Sequence, residues 1–138
     1  MTDFVLDDSV TMRWCFDAGS HAYADSVLAQ LEADEGTAFV PIMWRYEVSA
    51  VLARAEIKGF LPAHKAPAFI ENLAALPIEV DPESASRILT DVHQLAIQYC
   101  LSSYDAAYLE LALRRNLPLA TLDEELREAC KAAGVAVL

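Results

Sequence analysis

The chain has 138 residues, 55% of them hydrophobic, and a net charge of −11; this excludes disorder and suits one domain with a real core. No apolar run approaches the roughly 20 residues of a membrane span, and the opening MTDFVLDD lacks the basic and long apolar regions of a signal peptide, so a cytoplasmic protein without membrane contact is expected. The acidic balance also excludes a broad electrostatic grip on nucleic acid, which needs Lys and Arg against phosphate; any such function has to rest on local features.

The first element is FVL at residues 4–6, a buried strand by composition, followed at once by Asp7, Asp8 and Ser9. Asp8 or Ser9 is placed to cap a following helix. Residues 21–35 carry Ala24, Val27, Leu28 and Leu31 at helical spacing, and 37–40 (TAFV) read as a second strand. Residues 43–58 form a helix with Trp44, Val48, Val51 and Ala55 spaced four, three and four, ended by Gly59. A helix over 62–76, a strand over 77–80 (PIEV) and a helix over 83–100 come next. Residues 103–116 are apolar almost all round (AAYLELAL), which predicts a helix buried on several sides. A strand over 117–121 (LPLAT), a helix over 123–133 stopped by Gly134, and a strand over 135–138 (VAVL) complete the series. Strands alternating with helices imply a parallel sheet with crossover helices, and ligands then bind beyond the carboxyl ends of the strands. No linker, repeat or low-complexity stretch divides the chain, so residues 1–138 are expected to form one domain. Cys15, Cys100 and Cys130 are far apart and away from His21, His64 and His93 in sequence, which argues for buried thiols over a zinc site.

The acids fall in telling places. Asp7 ends the first strand, Thr121 and Asp123 follow the fourth, and Asp105 begins the most apolar helix. Asp105 with Ser102 fits a capping box, and Asp123 can cap its own helix, so each has a purely structural reading. Glu47 does not, because it lies in mid-helix three after Trp44 and four before Val51. If Asp7, Glu47, Asp105 and Asp123 converge, each pair about 5 Å apart repels by roughly 3 kcal/mol at an effective dielectric near 20. Proton uptake or a divalent cation relieves that repulsion. Oxygen ligands without His or Cys suit Mg²⁺ or Mn²⁺, which can activate water for attack on a phosphoryl group.

With these residues in view, the chain resembles the PIN-domain nucleases, most closely the VapC-type toxins of toxin–antitoxin modules. FVLDDSV resembles that family's opening strand with its first acid and following Ser; PIMWRYEVSAVLARA resembles its Pro-initiated helix carrying a Glu; LSSYDAAYLELALRRNLPLATLD resembles its third-acid helix, next strand and fourth acid. The resemblance implies a three-layer α/β/α sandwich with a central parallel sheet. It implies a hydrolase, a metal-dependent endoribonuclease in which Asp7, Glu47, Asp105 and Asp123 form the catalytic cluster and hold Mg²⁺ or Mn²⁺. Ser9 and Thr121 match supporting polar positions. It also implies an RNA substrate, a VapB-like antitoxin partner and a homodimer. Asp8 departs from the pattern, standing where the family usually has a small residue; the reading favoured here makes Asp8 a helix cap and Asp7 the ligand.

Arg13 and Arg45 are candidate RNA contacts, as are Arg114 and Arg115, although the last two end a helix, where cations suit the dipole. Trp14, Trp44 and Tyr46 are read as core packing before base stacking. Three alternatives stand beside this reading. A catalytically inactive PIN fold serving as a binding module is opposed by the presence of all four acids. A receiver-type phosphoacceptor domain would use Asp81 as the phosphorylated group but lacks a Lys after VAVL. A haloacid-dehalogenase phosphatase needs Asp-x-Asp, and position 9 is Ser.

Overall fold

The computed structural model describes residues 2–138. Its centre is β1 (Phe4–Leu6), three apolar side chains with no exposed surface, as a strand covered by helices on both faces requires. β1 pairs in parallel with β2 (Ala38–Val40) on one side and β4 (Leu119–Ala120) on the other, and β2 pairs in parallel with β3 (Ile78–Val80). The order is β3-β2-β1-β4. The predicted fifth strand makes only a parallel bridge, Val137 opposite Leu119. The predicted fourth strand shrinks to two residues, because Pro118 has no N–H to donate; its carbonyl still accepts from Val5 N at 2.9 Å.

The helices are α1 (Asp8–Phe16), α2 (Ala22–Glu32), α3 (Met43–Ile57), α4 (Lys65–Ala74), α5 (His93–Tyr99), α6 (Ser103–Arg115) and α7 (Glu124–Ala133). The crossovers from β1 to β2 to β3 step one way across the sheet, and that from β3 to β4 returns past β1. Right-handed crossovers then put α1–α4 on one face and α5–α7 on the other. The packing agrees: α1 meets α2 and α3, while α6 meets α5 and α7. The fold is a three-layer α/β/α sandwich. Within α6, every residue from Ala106 to Ala112 is buried, as its all-round apolar sequence predicts.

The predicted helix over 83–100 is helical throughout but changes pitch. A 3₁₀ turn (Ser84–Arg87) and a π turn (Ile88–Val92) precede α5. The hydroxyls of Ser84, Ser86 and Thr90 bond to Asp81, Glu83 and Arg87, and such local bonds compete with the regular ladder. Gly36 is required at its position. Its φ is +134°, and a Cβ there would stand 2.2 Å from the Thr2 carbonyl oxygen.

Candidate active site

The strand order reverses between β1 and β4, so the crossovers leave in opposite directions and open a crevice beyond the carboxyl ends of these two strands. Asp7 leaves β1 into that crevice. It is the N-cap of α1, with extended backbone, yet its side chain does not cap. The carboxylate is almost fully buried, and its Oδ2 accepts hydrogen bonds from Ser9 Oγ and Thr121 Oγ1, each at 2.7 Å. Ser9 Oγ accepts from Leu122 N at 2.9 Å, and Thr121 Oγ1 accepts from Asp123 N at 3.1 Å. Each hydroxyl thus links a backbone N–H of the β4–α7 connection to the same carboxylate oxygen. The two supporting polar positions of the sequence reading are what fix the first acid.

Asp123 is the N-cap of α7, its Oδ1 accepting from Leu126 N at 3.0 Å. Asp105 occupies the first turn of α6, where its backbone N donates to Ser102 Oγ at 3.1 Å. Both capping readings hold, and both carboxylates also face the crevice acids. Burial first, then Asp123, Asp7 and Glu125, push Asp105 up to about 6, against the opposing hydrogen bond to Ser102. Three acids therefore begin helices, where the positive end of the dipole lowers the cost of gathering negative charge.

Glu47 comes from α3, in the opposite helical layer to α6, and is half-buried. Its Oε1 accepts from the Tyr108 hydroxyl at 2.6 Å. Burial pushes its pKa up, the hydrogen bond from Tyr108 opposes this, and Asp7 and Asp105 push it up further. Trp44, one turn before Glu47, donates from Nε1 to Thr11 Oγ1 at 3.2 Å and ties α3 to α1.

Asp8 is not the helix cap that the sequence reading favoured. The helix starts one residue earlier than that reading required, so Asp7 takes the cap position and Asp8 opens the first turn. Its carboxyl lies within the field of Asp7. Burial, Asp7, Glu47 and Asp105 together push it up to about 8. The crevice thus gathers five acids, Asp7, Asp8, Glu47, Asp105 and Asp123, where sequence reasoning counted four.

The basic and aromatic candidates divide. Arg114 is bound by Asp81 (2.6 Å), Glu110 (2.7 Å) and Glu83 (3.0 Å), and Arg115 reaches Asp81 at 3.4 Å while its guanidinium lies 4.2 Å from the Phe39 ring centroid. Both are committed to joining α6 to the β2–β3 side of the sheet. Arg13 pairs with Asp17 at 2.6 Å on the surface. Arg45 is exposed and lines a groove of about 500 Å³ between α3, α4 and β3. Trp14 and Trp44 are core residues, but Tyr46 is 76% exposed, contrary to its core reading, because it points away from the Trp44–Val48 stripe.

A family model described as PIN domain matches residues 4–132. The chain belongs to the PIN domain family. It is 32% identical over 83 residues to "Ribonuclease VapC3" of Pyrobaculum aerophilum, an alignment covering 60% of this chain and 63% of that relative. Among solved structures, PAE2754 from Pyrobaculum aerophilum superposes with a TM-score of 0.67 at 20% identity, covering 93% of this chain and 84% of that one. FitAcB from Neisseria gonorrhoeae superposes with a TM-score of 0.62 at 19% identity, covering 98% and 96%. These two likenesses concern the fold.

The PIN fold removes the receiver alternative. The receiver-type order is 2-1-3-4-5, not β3-β2-β1-β4, and Asp81 is buried in its pairing with Arg114. The crevice chemistry suits a divalent cation: every acidic donor is a hard carboxylate, and burial with mutual repulsion raises Asp8, Glu47 and Asp105 alike. Among the described residues, no three acidic, His or Cys side chains stand at metal-binding spacing. Tyr108 went unnoticed in the sequence. The signal was there, since a tyrosine on an all-apolar helix needs a partner for its hydroxyl.

Proposed function

We propose that this PIN-domain protein is a metal-dependent endoribonuclease and the toxin of a VapC-type toxin–antitoxin pair. The observation that carries the reading is Asp7 clamped by Ser9 and Thr121 at the β1–β4 crevice, with Asp8, Glu47 and Asp105 close enough to it for its charge to push their pKa values up, and Asp123 acting on Asp105 in the same way. The likeness to a relative named a ribonuclease supports the choice of substrate class. In this reading Asp7, Asp105 and Asp123 hold Mg²⁺ or Mn²⁺, with Glu47 as a further ligand or as the group that orients water. When bound, the cation supplies a water acidic enough to ionise near neutral pH and polarises the phosphoryl oxygen. The chain's own groups do the rest. Asp7 is immobilised through Oδ2, which leaves Oδ1 uncommitted to either hydroxyl. Glu47 gives Oε1 to Tyr108, which leaves Oε2 for the cation or its water. In this reading Arg45 and Tyr46, exposed on the first turns of α3, meet the RNA flanking the cleavage point, with Arg13 as a second cation. The reading carries a VapB-like antitoxin as partner, a homodimer as assembly, residues 1–138 as one domain and the cytoplasm as location.

The test is incubation with total RNA, with Mn²⁺ or Mg²⁺ and then with EDTA, beside the Asp7→Asn variant. The reading expects cleavage that disappears both in EDTA and in the variant. Cleavage that survives either one refutes it. An inactive binding module is distinguished by neither cleavage nor any metal-induced rise in Tm.

A further inference from the structure

We propose that Tyr108 is a positioning residue that sets the metal-facing carboxylate of Glu47, so that α6 places two acids of the site at once. The inference rests on the proposed metal site and deepens it. Tyr108 has no exposed surface, and its hydroxyl donates to Glu47 Oε1 at 2.6 Å across 61 residues of sequence. It stands three residues after Asp105 on α6, one helical turn along, so the two share a face. Asp105 enters the crevice directly, and Glu47 is set from the same helix through the phenol.

Glu47 needs such a hold. It projects from the second turn of α3, beyond the helix-start backbone that orients Asp7, Asp105 and Asp123. A glutamate has three side-chain torsions and, in a half-buried crevice among four other acids, repulsion drives it outward. A phenol ring packed on every side has two torsions and both are locked by its neighbours, so its oxygen is a fixed point. By engaging one carboxylate oxygen and leaving the other, the hydroxyl determines which atom of Glu47 turns toward a cation. Partners in this second layer typically change metal affinity or activity by about 10- to 100-fold when removed.

The experiment is calorimetric titration of the whole protein with Mn²⁺, comparing the wild type with Asp7→Asn, Tyr108→Phe, Glu47→Gln and the double Tyr108→Phe/Glu47→Gln variant, each checked for fold by circular dichroism. Tyr108→Leu is run beside Tyr108→Phe as a second chain lacking the hydroxyl. The expected result is Mn²⁺ binding lost in Asp7→Asn, weakened about tenfold in Tyr108→Phe, and weakened no further when Tyr108→Phe is added to Glu47→Gln. A purely structural tyrosine would leave the Mn²⁺ affinity of folded Tyr108→Phe within twofold of wild type. That outcome, or an equal loss in both backgrounds, overturns the role of Tyr108 while the metal site stands. A wild-type protein that binds no Mn²⁺ overturns the metal site and this inference with it.

Discussion

The side chains around Asp7 show how a single carboxylate is made permanent. Ser9 and Thr121 each donate to the same buried oxygen, and a hydrogen bond to a charged acceptor is worth about 1.5–3 kcal/mol. Thr121→Val or Ser9→Ala is therefore expected to destabilise the protein by about that amount, measured as a fall in the urea midpoint with unchanged slope. Asp8 works in the opposite sense. Its folded-state value of about 8 lies far above the ordinary 3.8, so the stability it contributes while protonated is lost progressively as pH rises from about 4 to 8. Asp105, at about 6, does the same lower down the scale. The metal-free protein should show a falling Tm between about pH 4 and pH 8. Asp8→Asn should match the wild type near pH 4 and exceed it at pH 9, because the amide cannot ionise. A Tm for Asp8→Asn no higher than wild type at pH 9 would show that Asp8 is not in the crevice field. Sequence inspection could place Asp8 after a strand but not orient it, because one residue's difference in where α1 starts decides whether it caps or faces the acids.

At the scale of elements, α6 links the acidic crevice at its first turn to an ion network at its last. Arg114 there neutralises Asp81 and Glu110, whose side chains are 1% and 5% exposed. Removing the guanidinium strands two buried acids, and Arg114→Ala is expected to cost about 3 kcal/mol or more, read from denaturant unfolding. Arg114→Lys should recover only part, since an ammonium cannot fork across three carboxylates. A loss below 1 kcal/mol would mean the network is only surface decoration. The apolar run AAYLELAL made the burial of α6 legible in advance, because no face of it offers water a polar stripe. The π turn at Ile88–Val92 was not legible. Its residues have helical spacing, and the pitch follows from where Asp81 and Glu83 hold neighbouring side chains, contacts that require the folded sheet.

For the whole molecule, the relevant quantity is a local concentration of charge within a chain already at −11. The five crevice acids repel one another and also repel RNA, and a bound cation reverses both effects at one point. Mn²⁺ at a hundred times its dissociation constant should stabilise the protein by about 2.7 kcal/mol, and should flatten the fall in Tm with pH, since the cation replaces the protons. No metal-dependent shift in Tm at pH 7.5 would count against the site. Alternation of apolar runs with helical stretches determined, from the sequence alone, the parallel α/β plan, because burial on both faces of a sheet leaves few other arrangements. The sequence also determined four of the crevice acids, each set at a strand end, a helix start or an unexplained place on an apolar stripe. Only the tertiary structure decided that Asp8 is a fifth, that Arg114 and Arg115 are engaged elsewhere, and that Tyr108 holds Glu47. Those three outcomes depend on pairs of side chains brought together by chain reversals and on a helix start fixed to within one residue, and periodicity along the sequence carries no information about either.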